Sequence, residues 1–391
     1  RPLAIYCLPL AAPSASTMMS RPAANNKSPA ALPWEMSGSG TVTRFAVIGG
    51  YLGAGKSTLT VALAKRLKEK GKNVAIITND QGHALVDTEY ARGSGVDVRE
   101  VMGCFCSTFP EFIKSARSLV QVSKPDVIMA EPIGTSTNIL SSVVDPLRCQ
   151  YPDEFSVAPF MVVVDGTRAS ELSGDKLIPA HQVKEAEVVL LSKIDLLDED
   201  ALKRAAESVA ALTPDAVIVP YSSRTGEGLE AVMDIIQSTQ LSRKERAGDD
   251  YRLFSAEKES MSWFSSTATI VPRDRVDAYG LTTTLLRGVA DAFPSAEVAH
   301  VKVTVLSEQA GAKMSLVGDS AQVDGLRGGR YFNDRARLIL NARVTAGPQT
   351  LGSTMRSIMS SLSDSFPIEL KDVTESCYSP RPAAPSFFTG L

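Results

Sequence analysis

A glycine-rich octapeptide carries the most specific chemistry in this sequence. It reads Gly50-Tyr51-Leu52-Gly53-Ala54-Gly55-Lys56-Ser57 and fits the pattern G-x-x-x-x-G-K-[ST]. The glycines let the backbone curl so that several N–H groups point at phosphate oxygens, where a helix N-terminus also favours anions. Lys56 supplies a cation to the β- and γ-phosphates, and the Ser57 hydroxyl can bind Mg²⁺. The pattern predicts a phosphate-binding loop that consists of Gly50, Gly53, Ala54, Gly55, Lys56, Ser57 and Thr58.

Acidic residues that follow two other apolar runs can complete a magnesium site. Glu131 stands where a carboxylate can hold a water on Mg²⁺, and the Gly134 N–H can reach the γ-phosphate. Asp80 can bind Mg²⁺ or orient the attacking water, although either carboxylate can instead cap a helix. Asp165, after a further run, is interpreted as a structural turn residue. We predict Ser57 and Glu131 as magnesium ligands, and Lys56, Glu131 and Asp80 as catalytic residues.

Two later segments indicate which base is bound. Ser192-Lys193-Ile194-Asp195 differs by one residue from the guanine signature N-K-x-D. The Asp195 carboxylate can accept both the N1–H and the N2 amino hydrogens of guanine, a pair that adenine does not offer. The Lys193 stem can cover the base. Ser222 and Ser223 begin a segment similar to the S-A-K loop that supports guanine, so the order of the two segments favours GTP over ATP.

A pair of thiols, Cys104 and Cys106, precedes a helical segment. Residues i and i+2 of a bent loop can bind one metal ion, and two thiolates select soft or borderline metals such as Zn²⁺ and Cu(I). Two ligands do not complete a tetrahedral site. The alternative is a pair of half-buried thiols with a structural role.

Most of these residues lie at the ends of short apolar runs. Continuous Val, Ile and Leu runs that alternate with helical segments predict a parallel sheet covered on both faces. The predicted strands are 44–48, 74–78, 127–130, 160–164, 188–191 and 217–219, with helices at 57–70, 112–122 and 228–240. The fold class is therefore α/β, a P-loop nucleotide-binding sheet.

The pattern changes after a polar stretch at 242–250, because fewer helices separate the later strands. This predicts a smaller α+β domain with an antiparallel sheet. Its predicted strands are 267–271, 301–306, 314–317 and 338–344, and its helices are 276–293 and 349–362. The predicted organisation is a disordered leader at 1–40, a nucleotide-binding domain at 41–241, a linker at 242–250, an α+β domain at 251–376 and a loose tail at 377–391.

Composition excludes several classes of protein. The net charge of -3 over 391 residues gives no overall basic field, so neither nucleic acid nor a membrane surface is expected as a partner. Five scattered cysteines do not form a disulfide framework, which favours a reducing compartment such as the cytoplasm. The leader can alternatively be a signal or transit peptide.

Four segments, in this order, resemble the CobW-type GTPases, which belong with the HypB and UreG nickel-insertion GTPases. They are the phosphate loop, Gly103-Cys104-Phe105-Cys106, Glu131-x-x-Gly134 and Ser192-Lys193-Ile194-Asp195. The resemblance covers residues 41–241 by motifs, and the second domain more loosely by order and pattern. It implies GTP hydrolysis, Mg²⁺, a Zn²⁺ or Co²⁺ site, and delivery of that metal to a client metalloprotein.

The sequence departs from the family pattern in three places. Ser107 stands where the family has a third cysteine, and Ser192 replaces the usual Asn. His83, His181 and His300 are isolated, so no His-rich stretch is present, although His83 is a candidate third metal ligand. The sequence does not determine the oligomeric state, and a homo-oligomer is one alternative.

These observations together predict a Mg²⁺-dependent GTPase that acts as a metallochaperone. One alternative is a P-loop ATPase or small-molecule kinase, which nucleotide preference distinguishes. The other is a regulatory GTP switch without metal cargo, which is consistent with Ser107.

Overall fold

The computed structural model describes residues 42–80, 96–174, 176–246 and 248–380 of the chain, and for Asp80 only the backbone. The predicted leader, His83, the Asp80 side chain and tail residues 381–391 lie outside this description. Within it, no helix is both long and apolar enough to cross a bilayer.

Parallel strands form the first sheet, as predicted. Their order is β3-β2-β4-β1-β6-β7-β8, with β5 also paired to β1. The strands are β1 (Thr43–Gly50), β2 (Val74–Asp80), β3 (Asp97–Met102), β4 (Val127–Glu131), β5 (Phe155–Val157), β6 (Met161–Asp165), β7 (Val188–Ser192) and β8 (Val217–Pro220). The helices around the sheet are α1 (Lys56–Glu69), α2 (Phe109–Ser123), α3 (Asp145–Gln150), α4 (Leu177–Glu185), α5 (Glu199–Leu212) and α6 (Leu229–Gln237).

The side chains of the central strand β1 point alternately into two apolar cores, one on each face of the sheet. Phe45 and Val47 join the core that includes α2, whereas Ala46 and Ile48 join the core that includes α1. Successive side chains of a strand point to opposite faces, so a strand that is apolar throughout must be covered on both sides. The α/β prediction is confirmed.

An antiparallel sheet forms the second domain, which confirms the predicted α+β part. Its strand order is β13-β12-β11-β15-β9-β16, and β10 pairs separately with β14. The strands are β9 (Ser262–Pro272), β10 (Val276–Asp277), β11 (Val298–Leu306), β12 (Ala310–Val317), β13 (Ser320–Gly328), β14 (Tyr331–Phe332), β15 (Ala336–Val344) and β16 (Ile368–Tyr378). The helices are α7 (Ser255–Ser260), α8 (Ala278–Ala292) and α9 (Pro348–Ser365), of which α8 and α9 pack on one face of this sheet.

Several elements differ from the sequence prediction. Strands β3, β5, β13 and β16 were not predicted, and β9 is longer than predicted. Cys377 and Tyr378, assigned to the loose tail, pair with β9 as the end of β16. Edge strands β3, β13 and β16 expose most of their side chains, so they have no apolar run that would reveal them.

The two domains meet at the phosphate loop. Leu52 and Ile133 of the first domain pack against Met261 and Trp263 of the second. A Cβ placed on Gly53 would lie 2.5 Å from a methyl carbon of Val317, at the end of β12. The second sheet therefore rests directly against the phosphate loop.

A substitution of Phe112 in α2 tests the packing of the core beneath the thiol loop, which is the segment that contains Cys104 and Cys106. The Phe112 ring is fully buried and lies 4.4 Å from Phe105 and 5.7 Å from Phe45, measured between centroids. We expect Phe112→Ala to lower the free energy of unfolding by about 3–5 kcal/mol, because it leaves a cavity in a close-packed core. Urea denaturation measures this. Val122→Ala on the same helix, where the side chain is 71% exposed, should change stability little; equal losses in both variants would contradict the packing account.

Candidate functional site

The phosphate loop has the backbone that its glycines predict. Gly50, Gly53 and Gly55 have φ angles of 138°, 76° and 101°, in the region that L-residues with side chains rarely adopt. Gly55 precedes the first residue of α1, so the loop ends at a helix N-terminus. This turn leaves backbone N–H groups available for an anion at the positive end of the helix dipole.

Lys56 and Ser57, the first two residues of α1, both hydrogen-bond to neighbouring groups of the site. Lys56 is 7% exposed, and its ammonium donates to the carbonyl oxygens of Gly50 (2.9 Å) and Tyr51 (3.3 Å). The Ser57 hydroxyl donates to Glu131 Oε1 at 2.7 Å. A hydroxyl and a carboxylate are thus side by side at the start of α1, and hard oxygen ligands of this kind suit Mg²⁺.

The loop after β4 lies close against the phosphate loop. A Cβ on Gly134 would come within 2.7 Å of Leu52 Cδ2 and 3.0 Å of Leu52 N. The side-chain amide of Gln182 in α4 donates hydrogen bonds to the Gly134 carbonyl at 3.0 Å and to the Ser136 carbonyl at 2.7 Å. A side chain at position 134 would therefore press on Leu52 of the phosphate loop, whereas glycine allows this close approach.

The predicted base-binding residues form a connected set at the ends of β7 and β8. Asp195 Oδ1 accepts from the Ser222 hydroxyl at 2.7 Å, which fixes the carboxylate. Lys193 pairs with Asp165 at 2.6 Å, and Asp165 also accepts from the Thr167 backbone N–H, so it caps a turn as well as orienting a lysine.

Ser192 has a shorter side chain than the usual asparagine, but its hydroxyl still reaches two backbone carbonyls. Its hydroxyl lies 2.8 Å from the Ala54 carbonyl and 3.1 Å from the Val164 carbonyl. The hydroxyl therefore joins the base-binding segment to the phosphate loop.

One cleft of about 1060 Å³ collects most of these side chains. The predicted residues that line it are Gly53, Ala54, Gly55, Lys56, Ser57, Thr58, Glu131, Gly134, Lys193, Asp195, Ser222 and Ser223. Gly50, the last residue of β1, does not line the cleft, and neither do Cys104 and Cys106. The thiol pair is thus a separate site.

The second domain supplies a basic wall to the same cleft. His300 and Lys302 of β11, Lys313 of β12 and Arg343 of β15 all line it. Asp324 is the acidic residue that this domain adds, and it accepts from Ser315 at 3.1 Å. The sequence analysis missed this wall, because no element there is predominantly basic. Its charge favours an anionic ligand such as a nucleoside triphosphate.

The thiols of Cys104 and Cys106 hydrogen-bond to each other. Cys106 is fully buried and lies 3.9 Å from the Tyr251 hydroxyl, and Cys104 lies 3.6 Å from the Ser136 hydroxyl. The hydrogen bond between the thiols lowers the pKa of Cys104 and raises the pKa of Cys106, because Cys106 is the donor to a Cys104 thiolate. Such a thiolate is the species that binds soft metals.

Ser107, in place of the family's third cysteine, hydrogen-bonds to the backbone of the thiol loop. Its hydroxyl donates to the Cys104 carbonyl at 3.1 Å. In the described part of the chain, no group of three or more His, Cys, Asp or Glu residues is arranged to hold a metal. The described residues thus offer two thiols to a soft ion and no complete tetrahedral site.

Two contacts join the thiol site to the nucleotide cleft. Ser136, which contacts Cys104, lies two residues after Gly134. Asn79, a lining residue of the cleft, donates to the Val101 carbonyl at 2.9 Å and also to the Gly103 carbonyl. Sequence reasoning missed the roles of Asn79 and Ser136, because each acts through a side-chain contact between segments far apart in the chain.

Comparison with known proteins agrees with the motifs. Residues 44–220 match the family model described as CobW/HypB/UreG, nucleotide-binding domain. The chain is 27% identical over 206 residues to the urease accessory protein UreG 2 of Bradyrhizobium sp., covering 50% of this chain and 91% of that protein. It is 28% identical over 197 residues to the zinc chaperone CobW of Sinorhizobium sp., and the alignment covers 43% of this chain and 55% of that protein. The Zn(II)-bound YjiA GTPase from E. coli aligns at 15% identity over 82% of this chain and 99% of that chain, with a TM-score of 0.35.

Asp195 provides a test of base recognition. We expect GTP to bind about tenfold or more tightly than ATP, and Asp195→Asn to remove this preference, because a bidentate base contact contributes about 1–3 kcal/mol. Competition binding with GTP, ATP and xanthosine triphosphate measures both effects, and the variant should gain affinity for the last. Ser222→Ala keeps the Asp195 carboxylate and should lose less of the preference for GTP over ATP. Equal affinities of the unaltered protein for ATP and GTP would contradict the guanine assignment.

Proposed function

We propose that this protein hydrolyses GTP with Mg²⁺, because residues 44–220 match the model of the CobW/HypB/UreG nucleotide-binding domain. We further propose that hydrolysis controls the binding of a transition metal and its delivery to a client protein. The family implies an ion of the Zn²⁺ or Co²⁺ class as the cargo.

The contact between Cys104 and Ser136 is the observation that carries the proposal. Ser136 and Gly134 belong to the loop that directly follows Glu131, the last residue of β4. A movement of that loop when a γ-phosphate binds or leaves therefore changes the surroundings of a thiol. This is the arrangement expected of a nucleotide-controlled metal site, by analogy with switch loops that γ-phosphate contacts hold in order.

The hydrolytic part rests on groups aimed at the phosphates. Lys56 and the backbone N–H groups of the phosphate loop would stabilise charge on the β- and γ-phosphates. Ser57 and Glu131 would hold Mg²⁺, which would neutralise negative charge on the phosphates. Glu131 would orient water on the metal, and Gly134 N–H would contact the γ-phosphate. Asp80 is proposed as the residue that orients the attacking water.

A GTP switch without metal cargo is the second candidate. It is favoured by the lack, within the described ranges, of a third ligand beside the two thiols. The two candidates share the nucleotide chemistry and differ in metal binding, so one set of variants separates them.

Two sets of variants test the proposal in the full-length chain. We expect Lys56→Ala to slow GTP turnover by about 100-fold or more, because it removes a cation from the charge that develops in the transition state. Lys68→Ala, an exposed lysine on the same helix, is the matched control and should keep full turnover. The double variant Cys104→Ser with Cys106→Ser should keep GTP binding and lose metal, whereas Cys149→Ser, an exposed cysteine, should lose neither.

Phosphate release and metal content after dialysis give the two readouts. Full turnover by Lys56→Ala would refute the hydrolytic site. Unchanged metal content in the double cysteine variant would refute the metal site and leave the GTP switch as the function.

A further inference from the structure

The sheet of the second domain has an apolar face and a polar face, and the polar face lines the nucleotide cleft. Val301, Val303 and Val305 of β11 enter the core that α8 and α9 cover, so the residues between and beside them lie on the opposite face. The same alternation holds along β12 and β15. The polar residues that these three strands contribute to the cleft are His300, Lys302, Lys313, Ser315, Asn341 and Arg343.

This polar face touches the first domain beside the phosphates. A Cβ on Gly53 of the phosphate loop would lie 2.5 Å from the last residue of β12. Trp263 of β9 packs against Leu52 and Ile133. The same tryptophan pairs with Arg343 across the sheet, and the Arg343 guanidinium carbon lies 4.1 Å from the centroid of its ring. One aromatic ring therefore separates the guanidinium from both the phosphate loop and the loop after β4.

Positive charge dominates this face. Among the described residues that the second domain adds to the cleft, Lys302, Lys313 and Arg343 are cationic and Asp324 is acidic. Lys313 is 7% exposed and Arg343 is 8% exposed. Because the removal of a charge from water is costly unless opposite charge compensates it, cations in such places favour an anion beside them. The polar face is thus suited to a ligand that brings more than one negative charge.

The position of Arg343 points to one phosphate group in particular. Ile133, on the far side of the Trp263 ring, directly precedes Gly134, whose N–H is predicted to reach the γ-phosphate. A planar guanidinium can donate two parallel hydrogen bonds to phosphate oxygens, and its contact with the indole ring orients it. A nucleoside diphosphate would leave this position without its anion.

We propose that the polar face of the second domain completes the triphosphate site, with Arg343 binding the γ-phosphate of GTP and with Lys302 and Lys313 stabilising its charge. The inference rests on the proposed function and deepens it, because it names the residues of the second domain that distinguish GTP from GDP. Hydrolysis then removes the anion that both domains bind, so the second domain responds directly to the nucleotide state.

The test measures the affinities of the full-length protein for a non-hydrolysable GTP analogue and for GDP, each with Mg²⁺, by displacement of a fluorescent GDP derivative. Arg343→Met removes the charge and keeps an apolar side chain over Trp263. We expect this variant to bind the analogue about tenfold or more weakly and GDP nearly as well as the unaltered protein, because hydrogen bonds between charged groups are the strong ones. Arg343→Lys keeps the charge and should lose less of the preference for the analogue.

Arg337→Met is the matched control, since Arg337 is on the same face of β15 but is exposed and does not line the cleft. Should Arg343→Met fail to fold by circular dichroism, Lys302→Met replaces a less buried cation of the same face, and the ratio of analogue affinity to GDP affinity should again fall. An unchanged ratio, or an equal loss of both affinities, would overturn this inference alone. Full turnover by Lys56→Ala would instead overturn the proposed function.

Discussion

The hydrogen bond from Ser57 to Glu131 ties the start of α1 to the end of β4, and the loop that leaves β4 at this point contacts the phosphate loop, the thiol pair and the second domain. Gly134 lies against Leu52 of the phosphate loop. Two residues later, Ser136 contacts Cys104, and the next residue, Thr137, accepts from Lys258 of the second domain. Nucleotide site, thiol pair and second domain thus share one short segment of chain.

Burial explains why this segment can transmit a change. Thr135, Ser136, Thr137 and Asn138 are polar and all less than 9% exposed. Buried polar groups need hydrogen-bond partners, so such a segment is stable only in arrangements that satisfy them. Helix α4 supplies several partners, including Gln182 for two carbonyls, while Asn138 exchanges hydrogen bonds with the backbone of Asp249 in the predicted linker. A displacement of Glu131 would therefore also displace the hydrogen-bonded residues of the segment that follows it.

The nucleotide site was largely predictable from the sequence because its chemistry is local. The octapeptide, Glu131 with Gly134, and Asp195 each follow a buried strand, and parallel strands bring their carboxyl ends to one edge of a sheet. Lys258 was not predictable in the same way, because it is 121 residues from its partner Thr137 and lies in a short helix without any motif. Ser192 departs from the family pattern, which has Asn at this position, yet its hydroxyl donates to the Ala54 carbonyl. That contact depends on the approach of two loops, which the sequence does not reveal.

The central claim is that nucleotide and metal are thermodynamically linked through the loop after β4. The most direct measurement is equilibrium metal affinity of the full-length chain in three states: with a non-hydrolysable GTP analogue, with GDP and without nucleotide. Linked sites change each other's affinity by the same factor, and we expect the analogue to tighten metal binding by about 1–2 kcal/mol, with the reciprocal gain in affinity for the analogue when metal is bound. Identical metal affinities in the three states would contradict the account.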